Sequence, residues 1–294
     1  MPELPDISLY LDQLARRILH QPLLKIVIKS PFVLRSVTPP VSAVEGKKVT
    51  GLQRLGKRIV LELEDSGYVV IHLMIAGRFR WRPPGAKAGG KMVLATFEFP
   101  NGSLQLTEAG TKRRASLHLV ADREGLRAFE RGGLEVLEID LAGFSQRLRS
   151  ENHTVKRALT DPRLFSGIGN SYSDEILHRA RMSPLALTSR LTDDQVGTLY
   201  DATRSTLTDW IERLRRETGD GFPEKVTAFR EGMVVHGRYG QPCPECGAPV
   251  QRIRYADNET NYCARCQTGG RLLADRALSR LLKQDWPRSI DEVE

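Results

Sequence analysis

Residues 243–266 read CPECGAPVQRIRYADNETNYCARC and hold all four cysteines of a 294-residue chain. They form two Cys-x-x-Cys pairs, Cys243/Cys246 and Cys263/Cys266, with sixteen residues between them. Each pair can present two sulfurs on one tight knuckle, and two knuckles close a tetrahedron around a d¹⁰ ion, so this is a four-thiolate zinc spacing. Four protein ligands leave no open position for water, which makes the expected zinc ion structural and not catalytic. The intervening residues fit a β-hairpin, a strand and a returning strand joined by a polar turn at Ala256–Glu259. Four cysteines in so short a span are no disulfide framework.

Around this module the chain divides by hydrophobic period. RLLADRALSRLLKQDW (271–286) reads as a C-terminal helix, and GDGFPEK (219–225) as a linker before the cysteines. Between 154 and 218 no run looks like a strand; TVKRALTD, YSDEILHRAR and TDDQVGTLYDATRSTLTDWIERLRRE read as helices, the last opening on a Thr/Asp cap. DREGLRAFERGG (122–133) reads as a further helix stopped by Gly132–Gly133. From 24 to 120 the pattern is instead eight short apolar runs separated by Gly- or Pro-bearing turns, as in a β-sandwich or barrel. At the start, apolar residues at 7, 9, 11, 14, 18 and 19 suit one amphipathic helix with Asp6 as its N-cap. The expected fold is therefore α+β and multidomain: an N-terminal helix plus β-sandwich (1–122), a helical domain (123–230), a zinc β-hairpin (231–270) and a helical tail (271–294).

With 40% hydrophobic and 27% charged residues, the composition is that of a globular protein and excludes global disorder. No apolar run approaches the ~20 residues of a membrane span, and the acidic, prolyl start is unlike a signal peptide. A cytoplasmic protein is expected, nucleoid-associated if bacterial. A net charge of +8 calls for a polyanionic partner, and RRIL, GKR, RFRWR, TKRR and RLRRE cluster the cations. Only 6% of residues are aromatic, which argues against single-strand readout by stacking.

An N-terminal PELPD, GKR within a β-rich region, SGIGNSYSDEIL in the helical region and a terminal four-cysteine hairpin occur here in that order. Together, over residues 2–268, they resemble the formamidopyrimidine-DNA glycosylase/endonuclease VIII family. The resemblance implies a bifunctional DNA glycosylase/AP lyase acting as a monomer on double-stranded DNA with a damaged base or abasic site. It makes Pro2, freed by loss of Met1, the nucleophile: its secondary amine forms a cationic iminium with the sugar, which favours β-elimination. Glu3 becomes the proton donor, and Lys57 a lysine that reaches phosphate or the damaged nucleotide. SGIGNSYSDEIL resembles the family's helix–two-turn–helix, where Gly167 and Gly169 allow close backbone approach and Asn170 grips a DNA phosphate. Lys156 matches a basic position upstream, and Glu175 an acid that supports structure or the active site.

Three places depart from the family pattern. The arginine usual at the zinc-hairpin tip is replaced by Asn258, an amide donor without charge. An HLGMSG-like stretch reads HLMIAG, so Met74 or Ile75 supplies the wedge that fills the space of a flipped base. A second wedge position is Ala115, leaving Arg113 and Arg114 to face the orphaned base. The short stretch before the zinc hairpin points away from strict 8-oxoguanine specificity and toward oxidised pyrimidines, ring-opened purines or abasic sites. Two rival readings stay open. A damaged-DNA-binding protein with reduced or lost glycosylase activity is motivated by Asn258 and Ala115; a zinc-ribbon translation or transcription factor leaves the N-terminus idle.

Overall fold

The computed structural model describes all residues of the chain except 87, 88, 111, 256, 257, 293 and 294. Its contacts divide the chain into two compact units, one of Met1–Arg131 with Trp210–Thr227 and one of Gly132–Asp209 with Ala228–Glu294.

The first unit opens with α1 (Leu4–Ile18), which buries Ile7, Tyr10, Leu14 and Ile18, one residue per turn on one stripe. Its N-cap is Glu3 and not the expected Asp6. Pro5, whose ring presets a helical φ, lies inside the first turn, and the Asp6 carboxylate reaches back to accept the Glu3 N–H at 2.9 Å. Eight strands follow: β1 (Lys25–Ile28), β2 (Val49–Leu55), β3 (Arg58–Leu63), β4 (Tyr68–His72), β5 (Gly77–Arg82), β6 (Val93–Phe99), β7 (Gly102–Glu108) and β8 (Ser116–Val120). They make two four-stranded antiparallel sheets, in the orders β1-β6-β7-β5 and β2-β3-β4-β8. Alternate residues of both sheets, among them Ile59, Leu61, Ile71, Phe79, Phe97, Leu104 and Leu117, share one core with α1. The outer face of the second sheet is covered as well, because Val60, Val70 and Val120 pack against Leu126 of α2 (Arg123–Arg127). That helix is shorter than expected, ending at Arg127, before Gly132.

The expected linker at 219–225 is not free. Phe222 packs against Tyr10 and Trp81, Arg17 lies over the Phe222 ring at 5.4 Å, and the Gly219 carbonyl accepts from Gln13 at 2.9 Å. Val226 enters the sandwich core. An aromatic and a valine in a Gly/Pro-rich run gain more from burial than the run loses by being ordered.

In the second unit, Asp140 and Thr154 cap α3 (Leu141–Arg149) and α4 (Val155–Thr160). The helix α5 (Asn170–Arg179) follows the SGIG turn. The long α6 (Asp193–Thr218) starts on a reciprocal capping box, Gln195 N–H to Thr192 Oγ1 at 3.2 Å and Thr192 N–H to Gln195 Oε1 at 3.0 Å. Strands β9 (Gln251–Tyr255) and β10 (Asn258–Tyr262) form the expected hairpin, with Asn258 opposite Tyr255. Of the turn expected at Ala256–Glu259, residues 256 and 257 lie outside the described residues. Two short helices follow, α7 (Ala264–Thr268) and α8 (Arg276–Leu282). The expected long C-terminal helix is thus only seven residues. Flanking it, Leu272, Leu273 and Ile290 cover the zinc hairpin, and Asp275 accepts the Arg254 N–H at 3.0 Å. Among the described residues no helix is long and apolar enough to cross a membrane.

Candidate functional site

In the first unit the two residues singled out beside the chain end are buried. Pro2 is buried and Glu3 is 2% exposed. The Met1 α-amine has its pKa lowered, chiefly by desolvation; Glu3 and Asp6 oppose the shift, and Arg78 and Lys57 add to it. Lys57 enters this cluster from the two-residue β2–β3 turn, in which Gly56 takes φ +64° at the first position, where glycine pays no steric penalty. Burial likewise lowers the Lys57 ammonium, and the Glu3 carboxylate opposes that shift. The Met1 amine, the Glu3 carboxylate and the Lys57 ammonium therefore act on one another in a partly dry setting, where charge interactions are stronger than in water.

Two further residues of this cluster went unassigned in the sequence. His72, at the end of β4, is pushed down to about 4 by burial and by Arg58, Lys57 and His118. Its Nδ1 accepts the Met74 N–H at 3.0 Å. Arg78 donates to the Ile75 and Gly77 carbonyls at 3.1 and 2.6 Å, and also to the Val226 carbonyl. The 74–77 turn is thus held from both sides. Within it Met74 is half-buried at φ +52°, whereas Ile75 projects with 57% exposure. The RFRWR run, whose arginines alternate along one strand, was the available signal for Arg78; nothing local marked His72.

The side chains of Arg113 and Arg114 are exposed, with Arg113 donating to the Lys91 carbonyl at 2.7 Å. Ala115 is 2% exposed and belongs to the sandwich core. Its N–H and that of Arg114 both bond the buried Glu108 carboxylate, at 3.0 and 2.9 Å. Position 115 therefore faces inward and presents no side chain to a DNA void.

In the second unit, α5 organises the residues predicted there. Asn170 is its first residue, and Nδ2 donates to the Glu259 carbonyl of β10 at 2.7 Å. The Lys156 ammonium is engaged internally, with Asp174 and with the Asn170 carbonyl. Asp174 also bonds His236 Nδ1 at 2.8 Å. Glu175 accepts three consecutive backbone N–H groups, from Val234, Val235 and His236, at 2.7–2.9 Å. Burial raises its pKa and those three bonds oppose the shift. Its role is to pin the segment entering the zinc hairpin. Asn258 is exposed on the hairpin.

All four cysteines are free thiols. Their Sγ atoms approach to 3.9 Å (Cys243 to Cys266) and 3.4 Å (Cys246 to Cys263), bracketing the ~3.8 Å edge of a tetrahedron with Zn–S near 2.3 Å. His178 Nε2 joins them, lying with the sulfurs of Cys243, Cys263 and Cys266 inside a 4.8 Å cluster. The donor set fits one structural zinc ion.

Three family profiles match the chain: the formamidopyrimidine-DNA glycosylase N-terminal domain over residues 1–116, the formamidopyrimidine-DNA glycosylase H2TH domain over 135–219, and the zinc finger found in FPG and IleRS over 240–269. An uncharacterized formamidopyrimidine-DNA glycosylase-like protein of Mycobacterium tuberculosis is 43% identical over 157 residues, 53% of this chain and 96% of that one. Formamidopyrimidine-DNA glycosylase of Thermus thermophilus is 32% identical over 285 residues, covering 92% of this chain and all of that one. Among solved structures, a Lactococcus lactis FPG mutant in complex with a Fapy-dG containing DNA superposes with a TM-score of 0.78 at 26% identity, over 91% of this chain and 100% of that one.

Proposed function

The chain belongs to the formamidopyrimidine-DNA glycosylase family and is a DNA glycosylase of base excision repair; from this premise we propose that it is also an AP lyase working through Pro2. Loss of Met1 frees the Pro2 nitrogen, which attacks C1′ of the damaged nucleoside as the glycosidic bond breaks and the base departs with that electron pair. Glu3 protonates the sugar ring oxygen, so that the ring opens and a cationic iminium joins Pro2 to C1′. Loss of a C2′ proton then expels the 3′ phosphate, and water releases the enzyme. Lys57 balances the flanking phosphate. Asn170, held by Lys156, and Asn258 contact the backbone; Arg113 and Arg114 face the orphaned base. Met74 and Ile75 form the wedge turn, with the exposed Ile75 as its apolar tip. Ring-opened purines, oxidised pyrimidines and abasic sites are the substrates, processed in the cytoplasm by a monomer.

The observation that supports this reading most is the burial of Pro2 and Glu3 at the head of α1, where the Glu3 carboxylate acts on the Lys57 ammonium. The test is borohydride trapping of Met1-processed protein on DNA carrying an abasic site or an oxidised base. The wild type is expected to give a covalent complex and Pro2→Gly none, while Glu3→Gln slows base removal more than it slows cleavage of a preformed abasic site. Tight binding of abasic DNA with no trapping on any lesion would overturn the catalytic reading and leave a damage-binding protein.

A further inference from the structure

We propose that His178 is a positioning residue of the zinc site, donating its Nε2–H to the Cys243 thiolate and so tying the metal to helix α5. Four thiolates on one Zn²⁺ leave about two net negative charges, and in a buried site such charge needs hydrogen-bond donors. The knuckles supply two of these from their own backbone. Ala248 N–H bonds the Cys246 sulfur, and Cys266 N–H bonds Cys263 Sγ at 3.5 Å. Cys243 is 2% exposed, and its donor comes from a distant part of the chain: His178 Nε2 lies 3.4 Å from its Sγ.

Five donor atoms converge on this point, whereas zinc takes four. The two Cys-x-x-Cys pairs fill the tetrahedron, which leaves the imidazole to hydrogen-bond rather than ligate. His178 is itself 6% exposed, in the last turn of α5. It is also the last of a series along that helix. Asn170, Asp174 and His178, spaced four apart and so on one face, bond in turn the Glu259 carbonyl of β10, the ring of His236 and the Cys243 sulfur. Glu175, adjoining the series, holds the 234–236 backbone. One helix thus meets the hairpin strand, the segment leading into the zinc module and the metal site, and His178 makes the third of these contacts.

The test uses the full-length protein with cadmium-113 in place of zinc and nitrogen-15 in its histidines. The expected spectrum has a cadmium resonance in the four-sulfur range and a small scalar coupling from cadmium to the His178 Nε2 proton, carried across the hydrogen bond. A one-bond cadmium–nitrogen coupling would overturn the proposal by making His178 a ligand, and absence of any coupling would overturn it by removing the bond. In the zinc protein, His178→Phe should lose metal to a chelator roughly tenfold faster, and His178→Gln, which keeps an N–H, should recover part of that. Equal loss rates for wild type and His178→Phe would also refute it, and should His178→Phe not fold, the wild-type couplings decide alone.

Discussion

Two hairpins carry phosphate-facing residues in the proposed function, and they are held by opposite means. The β2–β3 hairpin, with Lys57 at its turn, grows from a sandwich in which Ile59, Leu61 and Leu63 are at most 3% exposed and share a core with both sheets and α1. The β9–β10 hairpin, bearing Asn258, rests on a ten-residue cluster of which two are cysteines. Polar bonds do much of the rest, from Asn170, Asp275 and the Tyr262 hydroxyl, which accepts the Leu273 N–H at 2.8 Å. The difference follows from size. A sheet pair encloses enough apolar surface to offset the entropy of ordering its loops, whereas a module of some forty residues does not and needs a metal or similar staple.

The sharpest way to break this contrast is to remove the metal. Chelation, or Cys246→Ser, should cost the finger on the order of 10 kcal/mol and abolish amide protection in β9–β10, while protection in β2–β4 persists by hydrogen exchange. Simultaneous loss in both would show that the sandwich depends on the zinc module. Next in size, Phe97→Ala, which cuts a fully buried ring out of the sandwich core, should lower stability by about 3–5 kcal/mol in denaturant melts of the first unit.

His72 supplies a pH handle on the sandwich side. Its imidazole stays neutral in the fold down to about pH 4, whereas in the unfolded chain it protonates near its ordinary value of 6.5. Between those values the unfolded state binds more protons, so stability falls as pH drops, by up to about 3 kcal/mol. His72→Gln should flatten that part of the stability profile; an unchanged profile would remove His72 as its cause. The smallest effect expected is at the other hairpin. Asn258→Arg adds a cation at an exposed site and should steepen the slope of log K against log salt for abasic DNA by about 0.9, one further phosphate contact. No change in slope would place residue 258 outside the footprint.

Much of this architecture was legible before folding. All eight strands of the sandwich appear in the eight short apolar runs between 24 and 120, and the hairpin of the zinc module follows from two Cys-x-x-Cys pairs, because both signals are local. Less legible were features in which a distant partner overrides a local cue. GDGFPEK has the composition of a linker, yet its Phe222 and the Val226 that follows it find apolar partners in the sandwich. Ala115 stands where a void-filling side chain was sought, but Glu108 turns it inward. Asp6 is a good N-cap by type; Pro5 and the reach of its carboxylate put it inside the first turn instead.

The sequence by itself determined what depends on residue type and short spacing: a proline followed by a carboxylate at residues 2 and 3, a lysine following a glycine turn, a glycine-rich helix entry and four thiols for one zinc. Only the tertiary structure decided which of these groups lose water and what they meet when they do. His72 in the field of Lys57, Glu175 beneath three backbone amides and His178 against Cys243 are pairings of groups 15 to 65 residues apart. No periodicity encodes them, because desolvation and hydrogen bonding are set by distance through space, and the chain brings those distances within reach only when its cores close.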